Sequence, residues 1–384
     1  MVLALVRLIA QPSTERRDAV RRLAASVDFD RLLDLLAAQG LVSTLGRPLI
    51  EDSELALPDR AAQRIRDVRM RARQRGLLHH ALTKRLTDEL GKYGVPVVPL
   101  KGAVLAEAVY GDIGARQSAD IDLLVPLPDL AQAVTVAERQ GWREPDLLRN
   151  TGLPTLHRVL FQDELPPLEL HWRVHWYEES FADAAMARAR MMDTGWLRPH
   201  PEDEIAFLLL FLARDGFAGL RQVVDVAAWW AALGRPGETA RGVRAVADSH
   251  PKLAPALMAA GRYAERIAGI PRASLNGGAA PSWSGRAAIR LANPWLAGSR
   301  AQIKAEMSLA DLLLAPRRGF PGFVRRQLLI PRWGLVRLKP RLEQASRLRI
   351  GVARLAHTAR VLARFGLASR HVLAGRRHGA VRVL

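Results

Sequence analysis

The sequence predicts an α+β protein in which a small sheet with its helices is embedded in a mostly α-helical chain. Three observations predict it. Apolar residues recur at helical spacing through most of the 384 residues. Between about 92 and 178 the pattern changes to short apolar runs alternating with helical stretches. Glycine and proline mark each change of pattern.

Taken in order, residues 14–39 carry helical spacing (Val20, Leu23, Val27, then Leu32, Leu35, Leu36), closed by Gly40. Residues 59–92 form a second, arginine-rich helical stretch that stops at Gly94-Val95-Pro96. Residues 95–100, broken by prolines, read as an edge strand, and 102–110 as a helix packed through Ala103, Leu105, Ala106 and Val109. Residues 121–125 read as a buried strand, 130–140 as a helix ended by Gly141, and 158–162 and 168–172 as two strands joined by a proline-rich turn. Pro201-Glu202-Asp203-Glu204 opens another helix, with further helices over 220–233 and 253–267, and 269–299 reads as a long loop. The organisation expected is an N-terminal helical region over 1–91, an α/β core over 92–178, a helical domain closing the cleft over 179–315, and a basic, partly helical segment over 316–384.

Charge is unevenly placed. Of 57 basic and 38 acidic residues, 17 and one (Glu343) lie in 316–384, leaving 40 and 37 in the first 315 positions. A net +19 is therefore a near-neutral body carrying a basic appendage of net +16. With no cysteine there is no disulfide framework, thiolate nucleophile or cysteine-ligated metal. The apolar decapeptide at the start lacks a basic n-region and runs into charged sequence, which argues against a signal peptide. The longest apolar run, 205–213, is too short to span a bilayer, so a cytoplasmic protein is expected.

The chemistry concentrates in Leu100-Lys101-Gly102-Ala103, Arg116, Asp120-Ile121-Asp122 and Leu168-Glu169-Leu170-His171. In a strand, residues two apart share a face, so Asp120 and Asp122 project together while Ile121 and Leu123 point to a core. Paired carboxylates repel, and a divalent cation supplies the missing charge. Glu169, between two leucines of another strand, adds a third acid on one face. Gly102 opens a helix directly after a strand, leaving free N–H groups to face an anion, with Lys101 and Arg116 as neighbouring cations. Each piece alone is commonplace, and the bland reading makes Asp120 a cap and Glu169 a solvent-facing strand residue. Their order along the chain is what points to a site.

That order, a glycine turn into a helix, then D-h-D, then h-E-h, resembles the polymerase-β-like nucleotidyltransferase superfamily. More narrowly, Leu100-Lys101-Gly102, Tyr110, Arg116, Asp120 to Val125 and Glu169-Leu170-His171-Trp172 look like the bacterial group labelled uncharacterised nucleotidyltransferase. The resemblance implies that Asp120, Asp122 and Glu169 are catalytic and hold Mg²⁺, two ions in that superfamily. It implies too that Lys101, Gly102, Ala103 and Arg116 face the phosphates of a nucleoside triphosphate, ATP in most relatives. Ala103 stands where the superfamily usually has Ser or Gly, and Arg214 where relatives often have His. The implied reaction moves NMP to an acceptor hydroxyl or phosphate and releases pyrophosphate, on a peptide, saccharide or RNA. A catalytically silent binding module of the same fold is the alternative; such members usually lose an acid, and this chain keeps all three.

His171 reads as a residue hydrogen-bonded to a carboxylate, and Asp225 as either a base- or acceptor-contacting acid or a helix-surface one. A zinc site needs more ligands than His171 and His175 offer, with His157 the one other candidate nearby. His79 and His80 read as surface residues. In Trp229-Trp230, one ring is expected to pack and the other to line the cleft. In the basic segment, Leu348, Val352, Leu355, Ala359, Leu362 and Gly366 make an apolar stripe flanked by arginines. It suits either packing on the body or an anionic partner, whether RNA, acidic peptide or membrane surface.

Overall fold

The structure, a computed structural model, describes residues 1–145, 156–193, 195–316, 330, 332–342 and 344–373. The C-terminal 375–379 stretch, which its glycines and arginines mark in the sequence as a flexible tail, lies outside them. The chain opens with helices α1 (Val2–Ala10), α2 (Thr14–Ala24), α3 (Phe29–Ala38), α4 (Val42–Leu45) and α5 (Arg47–Glu51). Ser13 and Asp28 cap α2 and α3 by accepting from backbone N–H groups three residues on. The apolar decapeptide is a core helix: Val2, Leu5, Val6 and Leu8 are buried, and α1 packs on α11 (Arg221–Leu233) and α13 (Ala254–Ala268).

Helix α6 (Asp59–Lys92) follows and ends at Gly94, whose φ of +73° needs a residue without a Cβ. Strand β1 (Val98–Pro99) then pairs antiparallel with β2 (Ile121–Leu124), its proline at the sheet edge where no ladder N–H is missed. Between them, α7 (Gly102–Leu105) widens into a π-helical turn over Ala106–Tyr110. Helix α8 (Leu130–Arg139) makes the crossover a parallel pair requires, and β3 (His157–Leu160) and β4 (Leu168–His171) complete a mixed sheet of order β1-β2-β4-β3. Beyond it lie α9 (Phe181–Arg188), a two-stranded ribbon of β5 (Arg190–Met191) and β6 (Leu197–Arg198), α10 (Pro201–Arg214), α11, α12 (Glu238–Ser249) and α13.

Each face of the sheet serves a different core. Ile121, Leu123, Val125, Leu168 and Leu170 pack with Leu86, Leu90 and α8. On the other face Val98, Leu100 and Leu124 join a larger core built from α1, α3 and α10 to α13. Helix α10 is buried along nearly its whole length, Ile205 to Ala213, which explains why its apolar pattern shows no polar face. Both Trp229 and Trp230 are buried, and Trp229 Nε1 donates to Glu204 Oε2 at 2.7 Å, so neither ring lines a cleft.

Three readings change. The 269–299 stretch holds α14 (Trp283–Arg290), capped by Ser282 and too rich in small residues to announce itself. His79 is buried, not superficial. Helices α15 (Arg300–Leu314), α16 (Arg332–Leu338) and α17 (Arg347–Leu373) end the described chain. Helix α17 packs through Ile350, Val361 and Ala368, and the stripe singled out from sequence faces outward, with Leu348 79% and Leu355 73% exposed.

The loop over 111–116, which leads into the site, is clamped against α4 and α6. Ser43 and Thr44 hydroxyls donate to the carbonyls of Gly114 and Ala115, and Arg69 pairs with Asp112 at 2.9 Å. A Cβ on Gly76 of α6 would lie 2.4 Å from the Ile113 carbonyl oxygen. Gly76→Ala is expected to cost about 1–3 kcal/mol through overpacking, read from the urea midpoint, whereas Gly91→Ala, which meets nothing within 4 Å, is expected to be neutral or mildly stabilising.

Candidate active site

The register of the sheet brings the three acids together. Asp122 in β2 sits opposite Glu169 in the parallel strand β4, and Asp120 lies two residues before Asp122 at the strand's entrance. One oxygen from each carboxylate lies within 4.8 Å of the others. The surroundings are largely dry. Asp122 is buried, and its Oδ2 has no hydrogen-bond partner among the described residues. A buried, unpartnered carboxylate oxygen facing two further acids fits a divalent cation.

Charge inside the cluster is compensated by two side chains. Lys101 Nζ reaches Asp122 Oδ1 at 3.2 Å, and His171 Nε2 lies 3.0 Å from Asp122 Oδ1 and 3.1 Å from Glu169 Oε2. Burial alone would raise the Asp122 pKa, but Lys101 and His171 outweigh it and hold the carboxyl well below its ordinary range. Glu169 is likewise lowered, its burial outweighed by the His171 hydrogen bond. Those same bonds raise His171 despite its complete burial. Asp120 is raised, by burial and then by the charge of Asp122. The cluster therefore contains one strongly ionised acid and one that resists ionisation.

Lys101 stands on the turn between β1 and α7. The Leu100 N–H donates to the Asp122 carbonyl at 3.1 Å, and Gly102 follows with φ +72°, a conformation that a side chain would strain. The ammonium lies 3.9 Å from the centre of the Phe211 ring, a cation–π contact from α10, and Arg214 covers the same ring at 4.7 Å. Arg214 Nη1 is buried with no hydrogen-bond partner among the described residues.

Arg116 is placed differently from the phosphate contact that the resemblance implies. Its Nε donates to both Asp225 oxygens at 3.0 Å, and Tyr110 Oη donates to the same carboxylate at 3.0 Å. Asp225, on α11, is thus neither a helix-surface acid nor exposed: it anchors Arg116. The Arg116 Nη1 contacts Ser118 Oγ at 3.4 Å, and Ser118 donates to the Asp120 carbonyl at 3.1 Å, so the pair steadies the loop that carries Asp120. Beside it a cavity of about 170 Å³ is lined by Arg75, His79, Ala103, Arg116, Ser118 and Arg221. Arg75 and Arg221, with the Asp225-paired Arg116 between them, give this small space next to the glycine turn a basic lining that suits a polyanion. Arg221 and His79 were not singled out as site residues from sequence. His79 lies inside α6 and Arg221 opens α11, and only the packing of these helices against the loop reveals them.

His157 was undervalued too. It pairs with His171 across β3 and β4, its ring centre 4.6 Å from that of His171 and its Nε2 3.7 Å from Glu169 Oε2. Burial and the neighbouring His171 hold it well below the ordinary imidazole range, hence neutral.

A family model described as an uncharacterised nucleotidyltransferase matches residues 25–269, which include every site residue named above. No curated protein and no solved structure matches the chain.

The raised Asp120 carboxyl has a stability consequence. Its folded form holds a proton that the unfolded chain releases, so stability falls as pH rises from the ordinary carboxylate range through the raised value. Asp120→Asn is expected to flatten that fall and raise the metal-free melting temperature above wild type at neutral pH, read by thermal melts between pH 4 and 8. A variant that melts lower at neutral pH and keeps the slope contradicts the assignment.

Proposed function

The chain belongs to this uncharacterised nucleotidyltransferase family, and on that premise we propose that it is a Mg²⁺-dependent enzyme transferring NMP from a nucleoside triphosphate, ATP by preference, to an acceptor hydroxyl or phosphate. The observation that carries the reading is the set of three carboxylates within 4.8 Å of one another, one of them with a buried oxygen left unpartnered. Two Mg²⁺ ions held by Asp120, Asp122 and Glu169 would supply positive charge at the α-phosphate and the leaving group. The intact triad supports this over a silent binding module.

The protein's own residues position and neutralise. The acceptor oxygen forms a bond to the α-phosphorus as the bond from that phosphorus to pyrophosphate breaks. Glu169 is the acid assigned to take the acceptor's proton, since the His171 hydrogen bond keeps its carboxylate ionised. Lys101 and Gly102 face the triphosphate from the turn. Arg221 and Arg75, across the small cavity, receive its far end, while Arg116, tied to Asp225, fixes the loop.

Incubation with α-labelled ATP and an acceptor is expected to transfer label, and γ-labelled ATP to yield labelled pyrophosphate only. Asp120→Ala, Asp122→Ala and Glu169→Ala are each expected to reduce transfer to background with the circular dichroism spectrum retained. Transfer of γ label to the acceptor would mean kinase chemistry and overturn the reading.

For the basic segment we favour an anionic membrane surface as the partner. Charge alone would serve RNA equally, but the stripe of Leu348, Val352, Leu355 and Leu362 is exposed beside Arg347, Arg349, Arg354, Arg360 and Arg364, and an interface both anionic and apolar uses both faces. Co-flotation with phosphatidylglycerol vesicles but not phosphatidylcholine vesicles is the expected result, lost in Leu348→Glu/Leu355→Glu. An RNA oligonucleotide bound equally by that variant, with no flotation of wild type, would assign the segment to RNA.

A further inference from the structure

The sheet places a second donor set beside the acids. In the order β1-β2-β4-β3, strand β4 lies between β2 and β3, so Glu169 and His171 have Asp122 on one side and His157 on the other. One donor atom from each of His157, Glu169 and His171 falls within 4.8 Å of the others. The individual separations are 3.1 Å from His171 Nε2 and 3.7 Å from His157 Nε2 to Glu169 Oε2. Ligands about 2.0–2.2 Å from one cation are spaced about this far apart.

Two further observations point to a ligand. Both imidazoles have a buried Nδ1 with no partner among the described residues, so the contacts that orient the rings lie at the carboxylates of the centre. His171 is fully buried, and an imidazole bridging two acids there has no exposed face to hydrate. His157 is the one other candidate the sequence offers, but it lies 14 residues before His171, and only the antiparallel register sets them side by side.

Donor type decides the cation. Asp120, Asp122 and Glu169 form an all-oxygen set, which suits Mg²⁺; two imidazoles with one carboxylate suit borderline transition-metal ions and serve Mg²⁺ poorly. We propose that His157, Glu169 and His171 form a nitrogen-donor divalent-cation site that adjoins the acidic set, shares Glu169 with it, and takes Mn²⁺, Co²⁺ or Zn²⁺ in preference to Mg²⁺, the cation replacing the proton by which His171 Nε2 bonds Asp122 and Glu169 in the metal-free protein. The centre is then chemically asymmetric, with a hard pocket toward β2 and a softer one toward β3. The inference shares Glu169 and its partner His171 with the proposed catalytic centre but does not rest on nucleotidyl transfer, because the cation binds without nucleotide or acceptor.

The test uses the full chain, stripped with chelator and titrated with Co²⁺ in the absence of nucleotide. Wild type is expected to take up one equivalent tightly, with intense visible bands of a four- or five-coordinate nitrogen-containing site, retained in millimolar Mg²⁺. His157→Ala, on the outer strand of the sheet, is expected to weaken that uptake at least about 10–100-fold, whereas Asp120→Asn leaves it in place. X-ray absorption of the Zn²⁺-loaded wild-type protein needs no variant and is expected to show two imidazoles at about 2.0–2.1 Å. An all-oxygen shell, Co²⁺ displaced by equimolar Mg²⁺, or uptake unchanged in a folded His157→Ala variant would each overturn the site. Loss of nucleotide transfer with the Co²⁺ spectrum intact would count against the proposed reaction alone.

Discussion

Three carboxylates on one face of a small sheet, mostly withdrawn from water, are the constraint around which the rest is arranged. Like charges at this spacing, away from water, are unfavourable unless cations stand within a few ångströms. Lys101 and His171 are those cations, and each is held by another layer. Phe211 lies beneath the Lys101 ammonium, and strand β4 fixes His171. Arg116 approaches as well, but its charge is already committed to Asp225. The division is purposeful in physical terms: a free arginine would neutralise the acids, whereas a paired one steadies their loop and leaves them available.

The same constraint accounts for the two-cored architecture. Alternation in β2 and β4 sends Ile121, Leu123, Leu168 and Leu170 to the α8 side and Asp122, Glu169 and His171 to the other. A face carrying acids cannot be packed as tightly with leucine, so the larger helical core meets the sheet around its rim, through Val98, Leu100 and Leu124, and lends Phe211 and Asp225 to the centre. Helices α6 and α11 supply His79, Arg75 and Arg221 to the neighbouring cavity. The helical regions on either side of the sheet thus both contribute to one site.

How far this could be read from sequence follows from the range of each interaction. Asp120, Asp122 and Glu169 were legible because a period of two places them without knowledge of the partner strand. The turn at Gly102 was legible because it stands between a strand and a helix ahead of the acidic strand, an order that no piece of it carries alone. Phe211, Arg221 and the Arg116–Asp225 pair were not, and His157 was legible only as a candidate ligand without a place, since each depends on a register or a crossing between residues distant in sequence. The C-terminal stripe was legible as a pattern but not as to its side. Two faces of α17 carry apolar residues, and periodicity cannot say which one the body covers. The hidden helix over Trp283–Arg290 failed for the opposite reason: its small residues make a close-packed contact that resembles a loop in composition.

Helix α10 has a consequence for how such a site can diverge. Its residues from Ile205 to Ala213 are buried on every side, and the residue that supports Lys101 is one of them. Close-packed interiors transmit changes of a single methylene. A lineage drifting toward a new acceptor therefore has little freedom beneath the lysine, where each exchange disturbs helices on the far side. Variation is pushed outward to the arginine-lined cavity and the exposed faces of α17, so descendants of this chain would be expected to differ in what they recognise well before they differ in how they react.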